Sequence, residues 1–219
     1  MVARQIQGDL GLTHAQDGKC AGGQPSRRQL DATPVDPDEA AALIPGHIQT
    51  QIELNQWEAV NIADAAQWAA RRHGLDVLSS AALKELHRRM FGHTWAWAGT
   101  FRQSDKNLSP YRWSQIPELV ENLVENTRAR YSTGDKSPGL LDDLALYFHH
   151  ELVRIHPWPN GNGRHARLAT DLLLRAWGRP AFTWGHDELT GGEVRARYIA
   201  ALQRADANDY SLLRDFVRG

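Results

Sequence analysis

Two long helical patterns in this chain meet at twelve residues that can continue neither of them. The segment HPWPNGNGRHAR, His156 to Arg167, stands between an apolar stripe (Leu141, Leu144, Ala145, Phe148, Leu152, Ile155) and the run LATDLLLRAW. The three- and four-residue spacing of the stripe is that of an amphipathic helix. His156 precedes Pro157, and a residue before proline is pushed out of the α region, so the first helix stops there. Pro159 keeps the segment extended, and the NGNG that follows permits backbone shapes closed to bulkier residues. A second helix then starts at about Asn162 or Gly163. Any fold for this chain must join two buried helices through one tight, glycine-bearing turn.

Such a turn has a chemistry of its own. The first N–H groups of a helix lack intrahelical acceptors, and together with the helix dipole they form an anion site. Arg164 and Arg167 are three apart, so they share a face of the first turns. Their guanidinium forks suit phosphate oxygens. Asp171, four residues beyond Arg167, is placed to hold that arginine, while Leu168, Leu172 and Leu173 are expected to bury. Each feature alone reads as an ordinary turn or a solvated helix face. Their coincidence at one helix start describes an oligophosphate cradle with a histidine at its lip.

Other readings of the same region fail on the residues. There is no Lys-Ser/Thr ending of a P-loop. HELVRIH does not carry a zinc-protease pattern, because Arg154 stands where the second histidine would have to be. His149, His150, His156 and His165 lack the cysteine or carboxylate cluster that would complete a transition-metal site.

The rest of the chain is mainly helical by pattern. A helix is expected over Leu54 to Arg72, ending at His73-Gly74. Another is capped by Ser79 or Ser80 and buries Leu83, Leu86 and Met90. Ile116, Leu119, Val120, Leu123 and Val124 form a third stripe. Ser137-Pro138, with Asp142 and Asp143, reads as the N-terminus of the helix before the turn. Helices at about Gly192 to Arg204 and Asp209 to Val217 close the chain. Trp95 to Trp113 does not read as helix and suggests a short hairpin or irregular flap. The fold class is mostly α, with one small β-hairpin flap near residues 101–113.

Residues 1–35 are rich in Gly, Gln, Pro and charge and are expected to be a flexible extension. Residues 36–219 are expected to be a single domain with its core at about 80–205. A net charge of −1 gives no general field for nucleic acid or anionic membrane, so neither is an expected partner. No apolar run approaches the ~20 residues of a membrane span. The single cysteine, Cys20, cannot form an internal disulfide, which with the absence of a secretory pattern implies a cytoplasmic setting.

The string HPWPNGNGR-x-x-R resembles the signature of the Fic (Fic/Doc) domain family, His-x-Phe-x-Asp/Glu-Gly-Asn-Gly-Arg-x-x-Arg. WAWAGTFR, KNLSPYRWSQIP and RYIAALQRADANDYSLL are similar to the flap region and closing helices of that family, so the resemblance runs from about residue 33 onward. The stretch Thr33-Pro-x-Asp-Pro-Asp-Glu-Ala40 resembles the subgroup called mobile mystery protein B. The resemblance implies a helical bundle that transfers a nucleotide monophosphate, usually AMP from ATP, to a Ser, Thr or Tyr hydroxyl of a target protein. It makes His156 the general base. It gives the phosphates to Gly161, Asn162 and Gly163, with Arg164 on the β- and γ-phosphates and Arg167 on the γ-phosphate. It puts Asn160 at the place of the residue that ligates Mg²⁺ (or Mn²⁺). The target protein would dock by strand addition at the flap. The resemblance is consistent with the toxin of a toxin–antitoxin pair. The family is often restrained by a Ser/Thr-x-x-x-Glu-Gly/Asn helix whose glutamate competes for the second arginine. Since that string is absent here, restraint is expected either from a separate antitoxin-like inhibitor or from a diverged motif. Trp158 in place of Phe keeps an apolar anchor. Asn160 in place of Asp or Glu brings no negative charge to the metal, and Doc, a relative with Asn there, is a kinase. Gly161, Gly163 and both arginines are kept, which favours nucleotidyl transfer over a Doc-like protein kinase or a degenerate domain that binds nucleotide without turnover.

Overall fold

A computed structural model of the chain describes residues 41–72, 76–185 and 192–219. The expected extension over 1–35 and the His73-Gly74 helix stop lie outside the described residues. The described elements are α1 (Gln51–Arg71), α2 (Ser80–Phe91), a 3-10 turn (Trp113–Gln115), α3 (Ile116–Thr133), α4 (Pro138–Ile155), α5 (Asn162–Ala176), α6 (Gly192–Asp206) and α7 (Ser211–Arg218).

The helix starts follow local chemistry. α1 begins three residues earlier than its apolar pattern implies, because Thr50 and Glu53 form a capping box: Glu53 N donates to Thr50 Oγ1, and Glu53 Oε2 accepts from Thr50 N. Ser79 caps α2 by accepting from Ala82 N. Pro138 opens α4, but Ser137 makes no side-chain cap there. Asp142 and Asp143 do not serve that helix start either: Asp142 pairs with Arg179 and Arg218, and Asp143 with Arg214. These carboxylates tie α4 to the end of the chain.

α4 and α5 are the central antiparallel pair, and they build two apolar clusters. On one side Phe148, Leu152 and Ala166 pack with Leu86, Met90 and Phe91 of α2 and Val120 and Leu123 of α3. On the other, Ala145, Leu146 and Leu174 pack with Tyr198, Ala201, Leu213 and Phe216 of α6 and α7. Leu173 buries as its pattern implies, whereas Leu168 and Leu172 are half-buried. α1 lies across α2 and touches α5.

The mostly α reading holds, but the β-hairpin does not form. Among the described residues the isolated antiparallel bridge is Leu43–Trp95, and residues 101–112 are turns and extended loop. The reason is Arg102, which is 2% exposed. Its guanidinium donates to the carbonyls of His156, Ser104 and Tyr111, each at 2.8 Å. The carbonyls of Ser104 and Tyr111 are thereby drawn to one point, and the loop follows an irregular course between them. Ser109 Oγ, at 3.1 and 3.0 Å from the carbonyls of Arg154 and Ile155, fixes the loop to the end of α4.

Candidate active site

The turn between α4 and α5 is built from within by its own residues. His156 ends α4 in the left-handed conformation (φ 53°, ψ 58°). Its carbonyl is thereby offered to Arg102, and the next carbonyl, of Pro157, accepts from Arg102 N at 2.8 Å. Trp158 is fully buried, stacked on His87 at 4.2 Å, and its Nε1 donates to His165 Nδ1. Gly161 precedes α5 with φ 77°, and a Cβ there would lie 2.6 Å from the Phe91 ring. Both reasons demand glycine. Gly163 is different: its φ is ordinary, and a Cβ would meet only Arg167 Nη1, at 3.8 Å. Nothing in the fold requires a glycine at 163. What its missing side chain does is keep the mouth of the cradle open beside Arg167.

The expected site residues thus gather at one helix start, though two of them do other work. Asn162 is buried and closes the turn on itself, its Oδ1 accepting from Trp158 N and its Nδ2 donating to Trp158 O, both at 2.9 Å. Its side chain is a lock, so only its backbone N–H faces the cradle. Asn160 Oδ1 accepts from Gly161 N at 2.7 Å, and the Asn160 carbonyl lies 3.3 Å from His87 Nε2. The amide oxygen nearest the place of a cation therefore already serves the loop. No group of three or more His, Cys, Asp or Glu among the described residues could hold a metal. This donor set does not fit a resident Mg²⁺ site: one neutral amide oxygen supplies neither the charge nor the octahedral shell that Mg²⁺ demands. The histidines of the region do not converge on a metal. His149 meets Tyr198, His150 meets Asp206 and Tyr210, and His165 meets Trp158 and Leu83.

His156 is half-buried, and its pKa is lowered to about 4 by burial first, then by the charges of Arg102 and Lys106. A ring nitrogen donates to the Val153 carbonyl. The imidazole is therefore neutral near pH 7, with its other nitrogen an acceptor.

Both arginines have partners that the sequence reading missed. Arg164 Nη1 pairs with Glu58 Oε2 of α1 at 2.5 Å. Glu58 is buried (2% exposed) and also accepts from Trp95 Nε1 at 2.7 Å. Arg167 is not held by Asp171. That carboxylate accepts from Phe182 N at 3.1 Å and Trp184 Nε1 at 3.0 Å, and burial raises its pKa to about 6. Arg167 instead hydrogen bonds with Tyr198 of α6. Glu58 lies 106 residues from its partner, so no spacing rule could have found it. Arg102 gave no signal beyond being one charge among aromatics.

Residues 77–174 match the model of the Fic/DOC family. The chain is 31% identical over 157 residues to protein adenylyltransferase fic-1 of Caenorhabditis elegans, which covers 65% of this chain and 26% of that protein. It is 34% identical over 138 residues to protein adenylyltransferase Fic of Nematostella vectensis, covering 61% and 29%. The chain thus spans little more than a quarter of the length of these curated relatives. Among solved structures it superposes with TM-score 0.64 on the BepC effector of Bartonella tribocorum with bound AMPPNP, at 16% identity, covering 83% of this chain and 96% of that one. The Caenorhabditis elegans Fic-1 structure gives TM-score 0.56 at 25% identity, covering 82% and 51%. The family match ends before α6 and begins after α1. Glu58 and Tyr198 both lie outside it.

Proposed function

We propose, from the premise that residues 77–174 form a Fic/DOC family domain, that this chain is a protein adenylyltransferase moving AMP from ATP to a hydroxyl of a target protein. One observation carries the reading: the turn that His156 opens ends six residues on at the N-terminus of α5, where Gly163 leaves open space beside Arg167 and Arg164 stands on the same first turns. The imidazole of His156 takes the proton of the target Ser, Thr or Tyr hydroxyl. That oxygen attacks the α-phosphorus, the α–β bridge bond breaks, and pyrophosphate leaves. Backbone N–H groups at the start of α5 face the phosphates, and Arg164 and Arg167 draw the developing charge toward the β- and γ-phosphates. Divalent cation (Mg²⁺ or Mn²⁺) arrives with the nucleotide. The test is intact mass of candidate targets incubated with the protein and ATP. A gain of one adenosine monophosphate supports the reading. A gain of one phosphate would make the chain a Doc-like kinase, and no gain at all would make it a binder.

The finer expectations rest on the sequence. Thr33 to Ala40 supports the mobile mystery protein B subgroup, and a single cysteine supports a cytoplasmic setting. The 101–112 loop and the 3-10 turn after it are the docking place of the target, through Leu108 of the loop and Trp113 of the turn, both exposed. A separate inhibitor remains compatible with a toxin role, but the chain carries a restraint of its own in Glu58.

That restraint makes a prediction of opposite signs. Glu58→Gln keeps an acceptor for Trp95 Nε1 and releases Arg164 from its charged partner, so ATP affinity should rise about tenfold. Arg164→Ala removes a charge-assisted phosphate contact, which should weaken ATP binding by roughly 10- to 150-fold. It also strands the buried Glu58 carboxylate and should lower stability by about 3 kcal/mol. Calorimetric titration with ATP and urea melts read both. Equal affinity in wild type and Glu58→Gln would mean that the ion pair only joins α1 to α5.

Asn160→Asp tests the neutral amide. An added carboxylate should lower the Mg²⁺ concentration needed for half-maximal AMP transfer several-fold. Slower transfer at every Mg²⁺ level would show that the new charge repels the phosphates instead.

A further inference from the structure

An arginine side chain loses much rotamer freedom when it is fixed, so a guanidinium ready to meet phosphate needs something behind it. Arg167 reaches the mouth of the cradle at Gly163. Behind it stands Tyr198 of α6, a buried ring set among Leu146, Leu174 and Phe216 in the second apolar cluster. The guanidinium carbon is 5.7 Å from the Tyr198 ring centroid, and the two side chains hydrogen bond. The same hydroxyl is 2.9 Å from Nε2 of His149, a fully buried residue of α4.

Donor chemistry sets the direction of this chain of contacts. A guanidinium can only donate, so the Tyr198 oxygen accepts from Arg167. The phenol proton then goes to His149 Nε2, which must be unprotonated. The remaining proton sits on the buried Nδ1, which has no hydrogen-bond partner of normal geometry. The ionisation of the group agrees: burial first, then Arg167, lowers the His149 pKa to about 3. Burial raises that of Tyr198 to about 12. Trp184, whose ring lies 4.6 Å from that of His149, closes the back of the relay, and Asp171 holds Trp184. Asp171 therefore supports Arg167 at one remove, through the wall behind Tyr198.

We propose that Tyr198, fixed by His149, is a positioning residue that orients Arg167 for the terminal phosphates of the nucleotide. The proposal rests on the reading of Arg167 as a phosphate ligand. It assigns α6, which lies outside the family match, a part in the phosphate site.

The test separates the two claims. In nucleotide-free protein, the Arg167 guanidinium ¹⁵N signal, identified by its loss in Arg167→Lys, should exchange slowly with water. Tyr198→Phe, which removes only the hydroxyl, should speed that exchange at least about tenfold while the thermal midpoint moves little. His149→Leu should have the same effect, and His149→Gln, which keeps an acceptor, should restore slow exchange. In titrations, Tyr198→Phe should raise the ATP Kd about tenfold, leave the AMP Kd within about twofold, and add nothing further in an Arg167→Ala background. Unchanged exchange in Tyr198→Phe, or an equal ATP penalty in both backgrounds, overturns the proposal. Slow exchange that depends on Tyr198, in a wild-type protein that binds no ATP, would uphold the positioning and remove the adenylyltransferase reading instead.

Discussion

His156→Ala is expected to lower AMP transfer by about 10²- to 10⁴-fold while leaving ATP binding within a few-fold. The imidazole touches the incoming hydroxyl, whereas the phosphates are held by the start of α5 and its arginines. The same residue predicts an unusual pH profile. An ordinary histidine, with a pKa of about 6.5, would cost roughly tenfold in rate between pH 7.5 and pH 5.5. In this protein burial, Arg102 and Lys106 lower His156 to about 4, so the free enzyme keeps its base neutral throughout that range. The kcat/KM profile, which reports the free enzyme, should be flat from pH 7.5 to pH 5.5. A bound triphosphate brings negative charge beside the ring and should raise its pKa, so the acidic limb of kcat should lie at higher pH than that of kcat/KM. Stopped-time intact-mass assays across this range read both. Full transfer in His156→Ala, or a kcat/KM limb near 6.5, would remove His156 from the role.

Acidification should weaken the fold well before the carboxylates as a class are protonated. Burial lowers His149 to about 3 and His165 to about 4, and His87 well below its ordinary value. Each folded-state pKa lies beneath that of the unfolded chain, so below about pH 6.5 the unfolded state binds protons that the folded state refuses. Stability present at neutral pH is lost as pH falls from about 6.5 toward 4. Asp171 acts in the opposite sense: burial raises it to about 6, so its share of stability is regained as pH falls from about 6 toward 4. Counting about 1.4 kcal/mol per pKa unit, His149 and His165 outweigh Asp171 by on the order of 3 kcal/mol between pH 7 and pH 4.5. That is a large part of a typical domain's 5–15 kcal/mol. Urea midpoints should therefore fall steeply between pH 6.5 and 4.5, with the slope m unchanged. A midpoint that holds constant to pH 4.5 would mean that these histidines take up protons without loss of structure.

The amino-acid sequence by itself determined the helical architecture and the place of the site. Period-3.6 stripes at Leu83–Met90, Ile116–Val124 and Leu141–Ile155 specify their buried faces, because apolar spacing is a local property that burial simply obeys. Two prolines and Gly161 between α4 and α5 specify a tight turn there. The Thr50-x-x-Glu53 signal for the start of α1 was equally legible, and the weaker apolar pattern hid it. The tertiary structure decided which polar groups meet. The loop at 101–112 reads as a hairpin because aromatic and turn residues flank it, but buried Arg102 gathers the carbonyls of Ser104 and Tyr111, and that of His156, 54 residues away, and holds an irregular loop instead. Asp171 stands at the right helical spacing for Arg167, yet the Trp184 indole and the Phe182 amide claim it first. Arg164 finds Glu58, and Arg167 finds Tyr198, across separations that no local pattern encodes. Apolar burial is non-directional and can be read from spacing alone. A hydrogen bond or ion pair depends on the meeting of two specific atoms, and only the packing of α1 and α6 against α5 decides that.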